Sequence, residues 1–591
     1  MFLLALTREP LRFAGPSVWT EPAALAGFHL TVVADSRMAR MIRAGCRWEV
    51  FESVAPELGP LSGLTLSRVS LDATAATLEL SRAFAGGRPV YYHVNPAGEF
   101  FCSSHTSLLS KAGVALRENR KSLPEFFTYL TVMPPSTLIE GVAQVPGGAT
   151  IQLGLVHGRW ETTAVARANL SPTHRADGVR DVDDMSHQLQ CQLEAAISNL
   201  APRQHQLAVP LSGGLDSSAL WTMCHRIHGT RESYSAGFPF EPDGHNREKE
   251  YALSAAEAFG AQHRYFEPTA ADYARAVVDS IAAAEMPVYH LQSVLLYLLF
   301  RDALPREASL VVTGEGAGTL FGSTGLATIF RQERSLFAFR ENRTLYGLLS
   351  SPPALLALRC LYALTGRGWA GQRTLNPESP RNLPLGNPDQ LLWSAQRFGN
   401  QEWACRYFGV KPADVIAARC AALRGFEGRS FYDLWVIHEL LSGAADTMSI
   451  WSKLAEFSGK TLYAPFLAAE VMDLTWAASW PMRLEPPNNL QLRLARQLGI
   501  PEHIVARPKS SFGASPEYWA RPGGVFEPFL PLVQRLFGAA EVRATLVPDH
   551  ERAFTFWSMV NYAIWRCVVL EGETAEHLLE RVGLPPAGPS V

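Results

Sequence analysis

Through the first 165 or so residues the apolar positions come in short runs broken by Gly and Pro. Examples are Phe28–Ala34, Ala76–Leu80, Pro89–His93 and Thr150–Leu153. Short runs between turn residues predict a β-rich region with few helices. Residues 167–183 are polar and lack a period, as a linker would be. The period then becomes helical, with Leu189, Leu193, Ala196 and Ile197 on one face of a helix expected over Met185–Leu200. Over the next 120 residues strands and helices alternate. Gln206–Leu211, Ser233–Phe238, Arg264–Glu267 and Ser309–Thr313 read as strands; Ser217–His228 and Glu248–Phe259 read as helices closed by Gly229 and Gly260. That alternation predicts a doubly wound parallel sheet, with pairing irregular at Pro210 because proline lacks the ladder donor. From residue 330 the pattern is mostly helical, with loops expected at 366–390 and 480–489.

Composition narrows the class. With 591 residues the chain is too long for one ordinary core, and 47% hydrophobic against 18% charged residues excludes wholesale disorder. A net charge of −3 gives no electrostatic case for nucleic acid or an anionic membrane as main partner. The eight cysteines form no CxxC pair, which argues against a zinc site or disulfide scaffold and suits a reducing compartment. The opening MFLLALTREP fails as a signal peptide, and the apolar stretch Val288–Phe300 is too short to span a bilayer. A buried helix is expected there, no transmembrane segment anywhere, and a cytoplasmic location.

Leu211-Ser-Gly-Gly-Leu-Asp-Ser-Ser218 carries the candidate chemistry. Gly213 and Gly214 allow a tight turn and close approach to a ligand, and the following helix N-terminus favours an anion. Ser212, Ser217 and Ser218 are candidate hydroxyl donors, and Asp216 is a candidate Mg²⁺ ligand. The loop suits pyrophosphate, and without a GK[ST] ending it is not a γ-phosphate P-loop. Lys509 is one of only seven lysines among 53 basic residues, which singles it out.

SGGLDSS resembles the signature of ATP pyrophosphatase domains, which cleave ATP between the α- and β-phosphates to adenylate a substrate. Further stretches resemble asparagine synthetases: Val312–Gly322, Tyr463-Ala-Pro-Phe-Leu467 and Arg507-Pro-Lys-Ser-Ser-Phe-Gly513. Upstream, Gly87–Tyr92, Leu123–Tyr129 and Thr137–Gly148 resemble the end of the glutaminase domain in those enzymes. The resemblance implies a four-layer αββα glutaminase-like domain over 1–166, a linker over 167–183 and an ATP pyrophosphatase domain with a helical C-terminal half over 184–591. It implies ATP and Mg²⁺ as cofactors. Leu211, Ala236, Thr313 and Gly314 would line the nucleotide, Arg507 would help hold phosphate, and Lys509 and Glu315 would be catalytic.

The departures are equally informative. Glutaminase domains of this class use an N-terminal cysteine; residue 2 here is Phe and the first cysteine is Cys46. Gly318 and Thr319 stand where asparagine synthetases have Asp and Glu, and Ala468 replaces the Asp of "PFLD". Asp216 is then the one clear metal ligand. A domain unable to release ammonia from glutamine is similar to those of β-lactam synthetases and lasso peptide macrolactam cyclases, in which a substrate amine attacks the acyl-adenylate. The leading expectation is lasso peptide cyclisation, joining a peptide N-terminal amine to an Asp or Glu side chain. Its partners would be a leader-free precursor peptide and a leader peptidase. The alternatives are a β-lactam-type or ammonia-dependent asparagine synthetase and, from a different class, a non-catalytic ATP-binding protein.

Overall fold

The computed structural model of the protein describes residues 1–54, 65–167, 181–322, 400–507 and 516–584, with short gaps inside those spans. The N-terminal region is built from two six-stranded antiparallel sheets. The first is ordered β10 (Ala143–Gln144), β8 (Tyr91–Val94), β9 (Phe100–Ser103), β1 (Phe2–Thr7), β3 (His29–Ala34) and β2 (Val18–Pro22). The second runs β12 (Arg159–Arg167), β11 (Ala149–Val156), β7 (Thr77–Arg82), β6 (Thr65–Asp72), β5 (Arg47–Ser53) and β4 (Ala39–Ala44). Strand β1 is buried on both faces. Phe2, Leu4 and Leu6 enter the core between the sheets, while Leu3 and Ala5 face the opposite way, as a two-residue period requires. Short helices α1 (Thr106–Lys111) and α2 (Leu123–Tyr129) follow, and their apolar residues join the cluster that Leu3 and Ala5 enter.

The β-rich expectation holds, and the described residues show three of the four expected layers. Among the described residues no helix of this region covers the outer face of the second sheet, where seven of the nine β12 residues are consecutive exposed positions. The described residues thus show two sheets with helices against the first.

Helix α3 (Val182–Ser198) starts earlier than expected. Asp181 caps it by accepting from Asp183 N at 3.3 Å, so the last residues of the expected linker belong to the helix, while 168–180 lie outside the described residues. Strand β13 is only Leu207–Ala208, then comes α4 (Leu215–His228), ended by Gly229 in the left-handed region. Strand β14 (Glu232–Ala236), α5 (Glu248–Phe259), β15 (Gln262–Phe266) and α6 (Ala270–Ala284) continue the alternation. The expected buried helix is α7 (Leu291–Leu298), extended by a π-turn at Leu299–Ala303. Strands β16 (Leu310–Val312) and β17 (Thr461–Tyr463) complete a parallel array. Its order is β15-β14-β13-β16-β17. The β13–β14 join is a single bridge from Pro210 to Tyr234 and the bond Leu211 N to Tyr234 O at 2.8 Å, the irregular pairing expected at that proline.

Helix α8 (Ala317–Phe321) follows β16, and the description resumes with α9 (Gln401–Phe408), α10 (Pro412–Ala422), α11 (Phe431–Leu441) and α12 (Gly443–Phe457). Every residue of α12 from Ala444 to Ala455 is buried. It is wedged between the two halves. Arg82 reaches it from the second sheet, bonding Ser449 Oγ at 2.7 Å and Ala445 O at 3.4 Å. Arg88 bridges buried Glu52, at 3.2 Å, to Glu456 on α12. Then come α13 (Ala469–Ala477), α14 (Trp480–Leu484), α15 (Leu490–Gln497) and α16 (Glu502–Val505). The loop expected at 480–489 is thus helical over its first half; the one at 366–390 lies outside the described residues. Arg552–Leu570 is long and apolar enough to cross a membrane by length and composition, but 72% of its most apolar window is buried inside the protein.

Candidate active site

The loop after β13 is shaped by its glycines and by its own hydroxyls. Gly213 has φ +73°, and a Cβ there would lie 2.3 Å from the Tyr251 carbonyl oxygen of α5. Only glycine lets the loop rest on that helix. Gly214 is the extended N-cap of α4. Ser217 Oγ accepts from Ser212 N at 3.2 Å and donates to Gly214 O at 3.2 Å, while Ser212 Oγ accepts from Gly214 N at 3.3 Å. The hydroxyls of Ser212 and Ser217 tie the turn together, and Ser218 is fully buried with no hydrogen-bond partner for its hydroxyl among the described residues.

The second motif meets the first. Thr313 N donates to Tyr463 O at 2.9 Å, and a Cβ on Gly314 would lie 3.1 Å from Asp216 Cβ. Both loops leave the C-terminal ends of β13 and β16, the neighbouring strands where the chain order reverses. Ligands of doubly wound folds bind in that crevice. Leu211 and Ala236 are buried at the same edge.

From this edge a chamber of about 430 Å³ opens toward the N-terminal region. Asp216, Gly314, Glu315, Gly318 and Thr319 line one side; Tyr129, Thr131, Tyr289, Arg419 and His438 line the other. Arg419 crosses between the halves. Its Nε lies 2.8 Å from Glu125, and its Nη2 donates to Thr131 Oγ1 at 2.6 Å and Thr131 O at 2.9 Å. His438 Nε2 faces Arg419 Nη1 at 3.1 Å, so burial and then that cation push the imidazole down to about 3. His290, on the same wall, is pushed down to about 4 by burial. Both rings are neutral at pH 7. Behind Tyr289 and Thr131, which line both spaces, a smaller cavity of about 50 Å³ holds Glu285 and Asp446.

Arg507 stands beside the same loop. Its Nη1 donates to Ser212 O at 3.2 Å, its Nη2 to Glu248 Oε1 at 3.0 Å, and its guanidinium lies 3.6 Å from the Tyr251 ring centroid. These contacts clamp the loop to α5 from behind. Lys509 lies outside the described residues.

The donor set suits Mg²⁺ in one specific way. Asp216 and Glu315 share the chamber, and among the described residues no three His, Cys, Asp or Glu side chains gather as a metal cage. Magnesium is commonly held by one or two carboxylates plus substrate phosphates, so these residues fit it. When bound it would neutralise phosphate charge during cleavage of ATP. Sequence reasoning missed Tyr289, Arg419, His438, Asp446 and Gln491. None sits in a local motif, and only the fold brings them to the site.

A Gly-rich turn between a parallel strand and a helix, with a carboxylate in the first turn, at a switch point, defines a nucleotide-using α/β enzyme. The chain matches the asparagine synthase family over residues 188–559 and belongs to it. It is 22% identical to a putative glutamine-hydrolysing asparagine synthetase of Mycobacterium tuberculosis (strain ATCC 25618 / H37Rv), over 86% of this chain and 77% of that protein. It is likewise 22% identical to the glutamine-hydrolysing asparagine synthetase 1 of Bacillus subtilis (strain 168), over 82% of this chain and 74% of the relative. The protein is an ATP-dependent amide-forming enzyme of this family.

Proposed function

We propose that the enzyme adenylates a carboxylate and joins it to an amine that is not released from glutamine by its own N-terminal region. The observation that supports this is the state of that region's cysteines. Cys46 sits in an exposed hairpin turn, and Cys102 is wholly buried, its thiol pushed well up by burial. A thiol buried as Cys102 is does not resemble the activated thiolate that amide hydrolysis needs, and Cys46 lies on a turn at the surface. Free ammonia, or an amine carried by the substrate, is then the nucleophile.

In this reading the 212–218 loop and Asp216 hold the phosphates, and the carboxylate attacks the α-phosphate so that pyrophosphate leaves. Thr131, Tyr289 and the wall around Arg419 enclose the acyl group, and the amine expels AMP. Closing the reaction in a chamber protects the activated acyl group from water. Glu315, on the chamber wall, would take a proton from the amine, and Lys509 would stabilise negative charge on the acyl centre.

A second reading, macrolactam closure of a leader-free peptide, is favoured by the breadth of the chamber. It reaches from Asp216 to Tyr129 and Thr131 of the N-terminal region, a wall that a longer substrate would contact. The leader peptidase belongs to this reading. The test offers two substrate sets, aspartate with ammonium and candidate peptides, and follows pyrophosphate, AMP and product mass. Amide formed from aspartate and ammonium but not from glutamine supports the first reading; loss of one water from a peptide supports the second. Glutamine-supported amide formation would refute both.

A further inference from the structure

The site has one feature that neither the motifs nor the family relationship explains. Asp216 Oδ1 accepts a hydrogen bond of 2.7 Å from Nε2 of Gln491, 275 residues away on the second position of α15. An ionised carboxylate can only accept, so the amide must present its NH₂ group to it. The backbone of Gln491 is fixed as well. Asn489 caps α15 by accepting from Gln491 N at 2.8 Å and Leu492 N at 3.4 Å, and Leu490 and Leu494 anchor the helix in the core. A capped helix start with buried anchors delivers the amide to one place.

That contact answers a problem set by Gly318. Where two carboxylates share a cation, the cation orients both of them. The resemblance to asparagine synthetases puts Gly318 at the position of one such carboxylate, and a carboxylate acting with less support must be oriented by the protein. Groups that hydrogen-bond a metal ligand fix its orientation, and their loss commonly weakens metal binding 10- to 100-fold.

We propose that Gln491 is a positioning residue for magnesium-dependent nucleotide binding: its amide holds one oxygen of Asp216 and so fixes the orientation of the carboxylate toward the cation. The proposal rests on the reading of Asp216 as the metal ligand. The 490–507 segment then grips both ends of the phosphate loop, Gln491 at Asp216 and Arg507 at the Ser212 carbonyl.

The experiment measures binding of α,β-methylene-ATP by calorimetry, with and without Mn²⁺, for the wild type, Gln491→Met, Gln491→Asn and Asp216→Ala. Methionine keeps the volume and deletes the donor; asparagine keeps the amide but is one methylene too short to reach. We expect both Gln491 variants to weaken the manganese-dependent complex about tenfold or more while metal-free binding stays at the wild-type value. Asp216→Ala should abolish the manganese-dependent gain. Metal-free binding reports whether each variant is folded, and the asparagine variant decides if the methionine one is not. Wild-type manganese dependence in a folded Gln491 variant, alongside its loss in Asp216→Ala, overturns the role of Gln491 and spares that of Asp216. Wild-type manganese dependence in Asp216→Ala overturns the metal reading, and the inference falls with it.

Discussion

Replacing Arg507 by Met separates a loop clamp from a phosphate contact. The guanidinium is 9% exposed and its partner Glu248 13%, so the pair is largely withdrawn from water. Breaking a buried pair from one side costs about 3–5 kcal/mol. The residual exposure of Glu248 reduces this, and the lost bond to the Ser212 carbonyl and stacking on Tyr251 add to it. We take about 2–3 kcal/mol as the cost borne by the loop, worth about 30- to 150-fold in kcat/KM for ATP. The assay is ATP–pyrophosphate exchange for Arg507→Met, Glu248→Gln and the double variant. If the pair acts as a clamp, both single variants lose activity. The double variant should be little worse than the weaker single one, with a coupling energy of about 1–3 kcal/mol. Arg507→Lys should resemble Arg507→Met, because an ammonium cannot hold Ser212 and Glu248 through a planar fork while stacking on a ring. A direct phosphate contact predicts the reverse for Glu248→Gln, since releasing the guanidinium would leave ATP binding unchanged or tighter. A crippled Arg507→Met beside a fully active Glu248→Gln would therefore refute the clamp.

Gly213→Ala should keep the fold by circular dichroism and lose ATP-dependent pyrophosphate release. The left-handed backbone costs about 1–2 kcal/mol, and the new methyl meets a carbonyl of α5 rather than a movable side chain. Wild-type turnover would disprove that packing. Asp446 is pushed up to about 7 by burial, against the opposing pull of Arg82 and Arg419. The native state then keeps a proton that the unfolded chain has already released. This group's contribution to stability is therefore full at low pH and is lost as pH rises from about 4 to about 7, by at most about 4 kcal/mol. Asp446→Asn should flatten the fall in melting temperature over that range; parallel profiles for the two proteins would contradict it. Cys46→Ser should leave amide formation from ammonium unchanged, and a glutamine-like electrophile should label neither Cys46 nor Cys102; stoichiometric labelling of either would revive glutamine hydrolysis.

What could be read from the sequence was local. Gly213 and Gly214 announce their turn because neighbouring residues alone dictate it, and Glu248–Phe259 was legible end to end from its period and Gly260. Boundaries failed where one side chain decided them. Asp181 started α3 inside a stretch that lacked any period, and Pro210 cut the expected strand Gln206–Leu211 to two residues. The site's supports are remote in the chain: Arg507 and Glu248 are 259 residues apart, and Arg419 and Thr131 are 288 apart. A sequence carries no local mark of such pairs. The exception is a departure such as Gly318, which raises the question that Gln491 answers.

The polar seam along α12 also has a meaning in time. Arg82 and Ser449 are separated by 367 residues, and Arg88 and Glu456 by 368. At about 5–20 residues per second of synthesis, the sheets wait roughly 20–70 s on the ribosome for the helix that will cover them. An apolar face left bare for that long would invite the nascent chain to aggregate. Arginines and a glutamate can remain hydrated meanwhile and exchange water for α12 when it arrives. On this account the charges at the seam make the half-finished protein tolerable as well as holding the finished one together.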